Sequence, residues 1–341
     1  MAERETNADR GMIVTRTPLR VSFFGGGTDL AEFYHREPGA TLSTTINRYL
    51  YVTVKRHSDL FFEPIRVNYS ISEQVDRIDE IRNNIVRECL KFLNIDPPIY
   101  VSTVGDVPAS TGLGGSSAFA VGLLNALHAY RGERVSPGQL ADEASHIKIE
   151  LLKEPIGKQD QYAAAFGGMN LFTFKPDEGV TVEHLTMNGV GPMAGLFDSM
   201  LMFWTGHQRD TSAVLSEQRN NTVSKMEQLR RMRDQAQELH RLITDGTIDV
   251  PGCGEFLDQA WQLKRGLASK ITNNQIDDCY AAGRNAGAWG GKLCGAGGGG
   301  FLMFLAPLEK HQAIRESLPG LVEMQVRFES HGSQVVIPFQ S

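Results

Sequence analysis

Residues 106–117 read DVPASTGLGGSS, with three glycines and four hydroxyl side chains directly before an apolar segment that has helical spacing. Glycines let backbone N–H groups crowd around an anion, hydroxyls add donors, and a helix N-terminus directs unsatisfied N–H groups to the same place. We therefore predict a phosphate-binding loop with Ser116 or Ser117 as the helix N-cap. A capped helix after a flexible turn is the plainer alternative. The predicted nucleotide-binding residues are Pro108, Ser110, Thr111, Gly112, Gly114, Gly115, Ser116 and Ser117.

Two common phosphate-binding patterns do not account for this loop. The Walker pattern needs a lysine, which residues 106–117 lack. A Rossmann-like GxGxxG spacing occurs at Gly295, Gly297 and Gly300, but it precedes the apolar stretch FLMFLA and opens no helix. We expect this second glycine run to be a backbone turn that packs closely against another loop.

The composition narrows the class of protein. The 341 residues carry a formal net charge of -6 and are 41% hydrophobic, which indicates a globular protein and gives no reason to expect nucleic acid binding. The four cysteines form no CxxC pair, so neither disulfides nor a zinc site is expected. No segment approaches the roughly 20 apolar residues of a membrane span, and the first residues lack the apolar core of a secretion signal. These features favour a cytoplasmic enzyme with no membrane partner.

The elements that must position the loop alternate irregularly between strands and helices, which predicts an α+β fold. We expect strands at 12–24, 41–57, 98–104, 168–174 and 198–206, with short strands near 300–305, 321–328 and 334–338. We expect helices at 74–94, 116–130, 136–153, from 158, across 210–287 and at 308–318. A stretch rich in Gly, Pro and acidic residues at 176–197 suggests a boundary between two domains, 12–190 and 191–341.

Three segments together resemble the GHMP kinases, the superfamily of galactokinase, homoserine kinase, mevalonate kinase and phosphomevalonate kinase. PASTGLGGSSA resembles the nucleotide loop of that family, while residues 15–30, TRTPLRVSFFGGGTDL, and 292–304, KLCGAGGGGFLMF, resemble its first and third motifs in the expected order. The resemblance implies an N-terminal domain like ribosomal protein S5 domain 2 and a ferredoxin-like C-terminal domain. ATP and a small-molecule substrate are then expected to bind between the two domains.

Within the superfamily, residues 16–30 together with EPIGKQDQYAAAFGGMN at 154–170 are most similar to bacterial heptose 7-phosphate kinases. This resemblance implies ATP- and Mg²⁺-dependent phosphorylation of the anomeric hydroxyl of D-glycero-D-manno-heptose 7-phosphate to the 1,7-bisphosphate, for GDP-heptose and surface polysaccharide synthesis. GGGTDL stands where galactokinases carry a GEHTDY-like sequence, which argues against galactose. Fucose or another hexose stays open as the substrate of a 1-kinase. An inactive nucleotide-binding sensor is the alternative from another class, and retention of Asp160, Glu150 and the serine pair argues against it.

The resemblance also implies roles for individual residues. Asp160, in GKQDQY, matches the aspartate that acts as a base or positions the acceptor, and Arg20 matches a basic residue near the acceptor and the γ-phosphate. The plainer alternatives are a helix-capping aspartate and an ordinary ion-pair partner. Hard Mg²⁺ prefers oxygen ligands, which are expected from Ser116 or Ser117 with Glu150, or with Glu143 as the fallback. For either glutamate, a solvated helix face is the plainer alternative.

The substrate side is expected around the first motif. A glycine turn lets a ligand approach and a carboxylate accepts from sugar hydroxyls, so Gly26, Gly27, Thr28 and Asp29 are predicted to bind the sugar. A distal phosphate needs cations, and the candidates are Lys158, Arg209, His207 and Arg48. The segment TGHQRDTSAVL at 205–215, at the predicted start of a helix, is favoured as their source. A homodimer stays open, because no apolar stripe identifies an interface.

Overall fold

The computed structural model describes residues 11–187, 189–206 and 211–337. Its strands are β1 Ile13–Phe24, β2 Gly39–Arg56, β3 Ile65–Asn68, β4 Ser72–Val75, β5 Ile99–Gly105, β6 Met169–Phe174, β7 Val180–Leu185, β8 Met200–Trp204, β9 Gly290–Leu293, β10 Phe301–Leu305, β11 Val322–Glu323 and β12 Gln334–Ile337. Its α-helices are α1 Ala31–Tyr34, α2 Asn84–Phe92, α3 Gly115–Tyr130, α4 Pro137–Ser145, α5 Gln159–Phe166, α6 Thr211–Asn221, α7 Met226–Thr244, α8 Val250–Arg265, α9 Asn274–Asn285 and α10 His311–Ser317. A π-helical segment, His146–Leu151, continues directly from α4.

The strands form two sheets. The larger one has the order β12-β1-β2-β5-β3-β4, and β6 and β7 extend it from the first half of β2. Its pairs are antiparallel except β3 with β5. The second sheet is antiparallel, with the order β11-β8-β10-β9. Strand β12, near the end of the chain, pairs with β1, so the chain returns to the first sheet after it has built the second.

Helix α3 lies at the centre of the larger core because most of its surface is apolar. Twelve of its residues are buried, and it packs against β1 and β2 as well as α2, α4 and α5. Close approach to β1 depends on Gly122, whose backbone carbonyl accepts a hydrogen bond from Thr15 Oγ1 at 2.8 Å. A methyl group at Gly122 would lie 2.6 Å from Thr17 Oγ1. The helix that follows the predicted phosphate loop is therefore fixed firmly to the sheet.

A second core joins the smaller sheet to α8, α9 and α10. The aromatic ring of Phe304 contacts the rings of Phe203 and Tyr280, and the fully buried Trp261 of α8 contacts Tyr280. Strand β10, FLMFL, is buried along its whole length because Leu302 and Phe304 pack into this core, while Phe301, Met303 and Leu305 pack into the larger one. The glycine loop between β9 and β10 projects from this sheet toward the first one.

The α+β prediction is confirmed, and most of the predicted elements are present. The helix expected at 74–94 is wrong in its first half: residues 72–75 form β4 and only Asn84–Phe92 are α-helical, with Asn83 as N-cap. Strand β7 lies inside the stretch 176–197 that we took for a boundary, and β3 and β9 were not predicted. All four cysteines are free thiols. Across the described ranges, no helix combines the length and the apolar character needed to cross a bilayer.

Candidate active site

The predicted phosphate loop does lead directly into a helix, but its cap differs from the prediction. Helix α3 begins at Gly115, and Gly114 is its N-cap in the left-handed region, at φ 76°. Ser116 and Ser117 lie in the first turn, so the prediction of a serine N-cap is wrong. A side chain at position 114 would be strained at this φ and would approach Arg20 Cγ to 3.2 Å, which explains the glycine.

A cavity of about 560 Å³ opens beside the loop. Four predicted nucleotide-binding residues line it, namely Pro108, Ser110, Gly115 and Ser116. The other four, Thr111, Gly112, Gly114 and Ser117, do not line the cavity, and Thr111 and Ser117 are buried. The lining also includes apolar and aromatic side chains, namely Leu19, Tyr49, Leu50, Tyr69 and Phe119. Such a cavity suits a flat aromatic base with a phosphate chain directed to the loop.

One buried carboxylate holds together the part of the lining that contains Tyr69 and Asn83. Glu73 accepts hydrogen bonds from Tyr69 Oη at 2.8 Å, from the backbone N–H of Asn83 at 3.0 Å and from that of Arg82 at 2.6 Å. Burial and then the bond to Glu73 raise the pKa of Tyr69 to about 12, so the phenol keeps its proton. Because Tyr69 and Asn83 both line the cavity, Glu73 fixes its shape from behind. No sequence motif points to this residue.

The second glycine run packs against the phosphate loop, as predicted. A methyl group at Gly112 would lie 2.5 Å from the carbonyl oxygen of Cys294, and one at Gly295 would lie 2.4 Å from Gly112 Cα. The backbone N–H of Phe301 donates to Thr111 O at 3.2 Å. Only glycines permit two backbones to approach so closely. The two sheets therefore meet at the phosphate loop.

Arg20 and Asp160 form a bidentate ion pair beside the loop. Arg20 Nε donates to Asp160 Oδ1 and Nη2 to Oδ2, both at 2.7 Å, while Nη1 donates to Gly112 O at 2.7 Å. The Arg20 side chain is 5% exposed and that of Asp160 25% exposed, so the carboxylate keeps a face toward solvent. One guanidinium thus connects the predicted acceptor residue to the predicted phosphate loop.

The sugar-binding residues predicted from the first motif differ in their surroundings. Asp29 is buried and accepts from the backbone N–H of Gly27 at 2.9 Å and of Gln159 at 3.2 Å. Burial raises the pKa of Asp29, and the negative charge of nearby Asp160 raises it further. The hydrogen bonds from Gly27 and Gln159 lower the pKa but do not cancel this effect. Gly26 lies against Gln159, whose amide also accepts from Ser22 Oγ at 2.7 Å. Gln159 is an acceptor-side residue that the motif contains but that we did not single out.

Thr28 does not present its hydroxyl to a ligand. It is fully buried, donates to the carbonyl oxygens of Gly25 and Ala40, and accepts from the backbone N–H of Ala40 at 3.0 Å. Its role is to close the glycine turn, which corrects the prediction that it binds the sugar. Gly27, at φ 103°, faces the Gln218 side chain of α6.

The cations predicted for a distal phosphate are already engaged where the structure describes them. Lys158 forms an ion pair with Glu178, donates to Glu178 O at 3.1 Å and lies 5.1 Å from the Tyr34 ring centroid. Burial opposes ionisation of Glu178, but hydrogen bonds from His35 and Lys158 lower its pKa to about 2. Arg48 donates to the carbonyl oxygens of Asn47 and Gln325. His207 and Arg209 lie outside the described residues.

The metal site predicted from Ser116 and Glu150 is not assembled as expected. The Glu150 side chain is 61% exposed and pairs with Lys153, and Glu143 is bonded to His128 and Gln139. The side chain that contacts Ser116 Oγ is Lys148, at 2.7 Å, and its ammonium also pairs with Glu154. A divalent cation at Ser116 would be repelled by this ammonium, so the donor set does not fit a protein-held Mg²⁺. Among the described residues, no group of three or more His, Cys, Asp or Glu side chains could hold a metal ion.

Two further buried lysines brace the site from the second sheet. Lys264 of α8 donates to Gly295 O, and Lys292 of β9 donates to the carbonyl oxygens of Ser22 at 2.7 Å and Phe23 at 2.8 Å. Burial lowers the pKa of Lys264 to about 8 and the pKa of Lys292 well below its usual range. Their hydrogen bonds fix the second glycine loop and connect β9 to β1. Neither lysine was predicted, because a lone lysine in a sequence gives no sign of burial.

Two family models match this chain in the order of its two domains. The model of the GHMP kinases N terminal domain matches residues 83–168, and the model of the GHMP kinases C terminal domain matches residues 247–321. The first match contains the phosphate loop and Asp160, and the second contains Lys264 and the second glycine loop. The chain belongs to the GHMP kinase family.

Similar proteins agree with this assignment. The GHMP kinase described here is 28% identical over 321 residues to D-glycero-alpha-D-manno-heptose 7-phosphate kinase of Campylobacter jejuni, covering 89% of this chain and 92% of the relative. It is 24% identical to the galactokinase of Pyrococcus furiosus, covering 90% of this chain and 92% of the relative.

The fold matches solved structures of the family. A D-glycero-D-manno-heptose 1-phosphate kinase from Bacteriodes thetaiotaomicron superposes with a TM-score of 0.76 at 23% identity, covering 94% of this chain and 97% of that one. Lactococcus lactis galactokinase complexed with galactose gives a TM-score of 0.75 at 14% identity, with 95% of each chain covered. The predicted two-domain GHMP kinase fold is therefore confirmed.

Proposed function

We propose that this GHMP kinase transfers the γ-phosphoryl group of ATP to the anomeric hydroxyl of D-glycero-D-manno-heptose 7-phosphate and forms the 1,7-bisphosphate. The observation that carries the kinase assignment is the contact of Arg20 with both Asp160 and Gly112 O. Through this contact the acceptor-side carboxylate of Asp160 is linked to the phosphate loop by a single side chain, the cationic Arg20. In-line transfer requires this proximity of acceptor and donor.

Each residue then has a defined task. The loop N–H groups and Ser116 bind the triphosphate, and the cavity walled by Leu19, Tyr69 and Phe119 holds the adenine. Asp160 orients the anomeric hydroxyl and accepts its proton, which becomes acidic as the bond to phosphorus forms. Arg20 holds the carboxylate in place, and its charge offsets the negative charge of the phosphoryl group in transit.

The choice of sugar is supported by the curated relative from Campylobacter jejuni and by the resemblance of EPIGKQDQYAAAFGGMN to that branch. Asp29 and Gln159, on the acceptor side of Asp160, are the side chains we propose for the sugar hydroxyls. We propose Arg209 and His207 for the 7-phosphate, because Lys158 and Arg48 already have partners. Such a kinase would act ahead of GDP-heptose synthesis in the cytoplasm.

A comparison of acceptors at a fixed ATP concentration tests this proposal. We would measure kcat/KM for heptose 7-phosphate, unphosphorylated heptose, mannose and fucose, with Asp160→Asn as the inactive control. The account predicts a preference of about hundredfold or more for heptose 7-phosphate, since a site built for a phosphate leaves its charges unpaired with the neutral sugar. A preference for fucose or mannose would make the substrate a hexose, and a preference for unphosphorylated heptose would remove the distal phosphate from the proposal. Nucleotide binding without turnover of any acceptor would indicate a sensor.

A further inference from the structure

Lys148 makes a buried contact with the exposed serine of the phosphate loop. Its Nζ lies 2.7 Å from Ser116 Oγ and 2.7 Å from Glu154 Oε2, and its side chain is 1% exposed. Ser116 itself lines the cavity of about 560 Å³ and is exposed. A full positive charge thus lies directly behind the hydroxyl that faces the predicted phosphates.

This contact decides which way the Ser116 proton points. An ammonium group only donates hydrogen bonds, so Ser116 Oγ must accept from Lys148. The hydroxyl proton then points away from Lys148 and is available to an acceptor on the open side. An oxygen of a phosphate is such an acceptor, and the nearby ammonium strengthens the bond because the charge polarises the hydroxyl.

The same contact removes the features that a protein-held divalent ion would need. Ser116 Oγ already accepts a hydrogen bond from Lys148, which occupies one of its lone pairs. The carboxylate of Glu154, which also lies beside Lys148, is already paired with that ammonium group. Glu150 lies on the same π-helical segment but lines a separate pocket with Tyr34, Lys158 and Glu178. The positive charge at Ser116 is therefore a side chain of the protein.

We propose that Lys148, held by Glu154, acts through Ser116 as a positioning residue that supplies the fixed positive charge for the nucleotide phosphates, so that the protein binds a nucleoside diphosphate or triphosphate without a metal ion of its own. The inference rests on the proposed function only in taking the ligand to be a nucleotide. Mg²⁺ that accompanies ATP as part of the substrate is not affected by it.

Calorimetric titration with ADP, in EDTA and again in Mg²⁺, tests this inference on the full chain. We expect the wild type to bind ADP in EDTA with a Kd within about threefold of the Kd in Mg²⁺. Lys148→Met should weaken binding in EDTA by about ten- to hundredfold, the range expected for loss of a charged hydrogen-bonding group. Lys148→Arg, which keeps the charge, should recover part of this loss.

Two variants separate the proposed role from a general loss of folding. Lys148→Met leaves Glu154 without its partner, so the double variant Lys148→Met/Glu154→Gln, which removes both charges, should melt near the wild-type temperature and still bind ADP weakly. Lys153→Met removes the same charge five residues further along the chain, but Lys153 is 75% exposed and contacts Glu150, so ADP binding should not change.

The titration distinguishes a failure of this inference from a failure of the proposed function. If the wild type binds ADP only in Mg²⁺, or if Lys148→Met and the double variant bind ADP in EDTA as the wild type does, this inference is overturned and the kinase proposal stands. If the wild type binds ADP in neither condition, the proposed function fails and the inference fails with it.

Discussion

The guanidinium of Arg20 donates a hydrogen bond of 2.7 Å to each carboxylate oxygen of Asp160, although the two residues are 140 positions apart in the sequence. Its remaining donor binds Gly112 O in the phosphate loop. Three separate segments of the chain, strand β1, helix α5 and the loop before α3, therefore meet at one side chain. This geometry fixes the acceptor carboxylate relative to the phosphates, which is what catalysis by orientation requires.

Arg20→Lys should lower kcat by about tenfold or more and leave the KM for ATP within about twofold. A lysine keeps the charge but cannot bind both oxygens of Asp160 and Gly112 O together, so the carboxylate loses its orientation. Steady-state kinetics with the favoured acceptor measures this. Arg56→Lys, at the exposed pair with Asp59, is the matched control and should behave as the wild type. Full activity of Arg20→Lys would show that the fork geometry is irrelevant.

Gly112→Ala should cost roughly 1–3 kcal/mol more than Gly132→Ala in the free energy of unfolding, and it should also weaken ADP binding. Both glycines have φ near 80°, so both substitutions carry the same backbone strain. Only at Gly112 would the methyl group meet a backbone, the carbonyl of Cys294 at 2.5 Å, whereas Gly132 faces open space. Urea unfolding of the two variants measures the difference. Equal losses would mean that the two glycine loops are not pressed together.

Glu73→Gln should raise the KM for ATP by about tenfold and leave kcat and the KM for the sugar unchanged. Glutamine cannot accept all three hydrogen bonds from Tyr69, Arg82 and Asn83, so the wall of the nucleotide cavity loosens. Glu80→Gln is the control, because this exposed carboxylate binds the neighbouring backbone N–H groups of Asp76 and Arg77 and is not among the residues that line the nucleotide cavity. A fall in kcat with an unchanged KM for ATP would contradict this role.

His128, at the far end of α3, should make stability depend on pH. Its two ring nitrogens lie 2.7 Å from Glu133 and Glu143, so both bonds form only with the protonated ring. Burial disfavours that charge, but the two carboxylates prevail and raise the pKa of His128. The stabilisation is therefore complete below about pH 6.5, the pKa of an unfolded histidine, and it declines as the pH rises through the higher folded value.

Melting temperatures of the wild type and His128→Gln between pH 5.5 and 9 check this expectation. The wild type should exceed the variant at low pH, and the difference should shrink as the pH rises. A difference that stays constant or grows toward pH 9 would contradict the assigned charge.

Much of the fold and part of the site could be predicted because their signals are local. Strand β1 follows from alternating side chains and β2 from a β-branched run, and the phosphate loop follows from glycines and hydroxyls before a helix. The capping of α3 could not be predicted from these signals. Ser116 and Ser117 are good capping residues in isolation, but the sharp turn needs a left-handed φ, which selects Gly114.

The metal residues show where a resemblance alone does not place a side chain. We chose Glu150 because, ten residues before Asp160 on a predicted helix, it resembles the metal glutamate of the family. The segment His146–Leu151 is π-helical, a feature that the helix expected over 136–153 did not include. Lys148 contacts Ser116, and the Glu150 side chain is largely exposed. Likewise, the burial of Lys264, Lys292 and Glu73 depends on partners from distant segments, which no local pattern reveals.

The most direct test of the account is ³¹P NMR of the product formed from heptose 7-phosphate, ATP and Mg²⁺ by the wild type, beside Asp160→Asn. The account predicts a second phosphorus signal coupled to the anomeric proton, and turnover reduced by about 10²–10⁴ in the variant, the usual contribution of a positioned proton acceptor. Phosphate on any other hydroxyl, no product at all, or undiminished turnover by Asp160→Asn would contradict it.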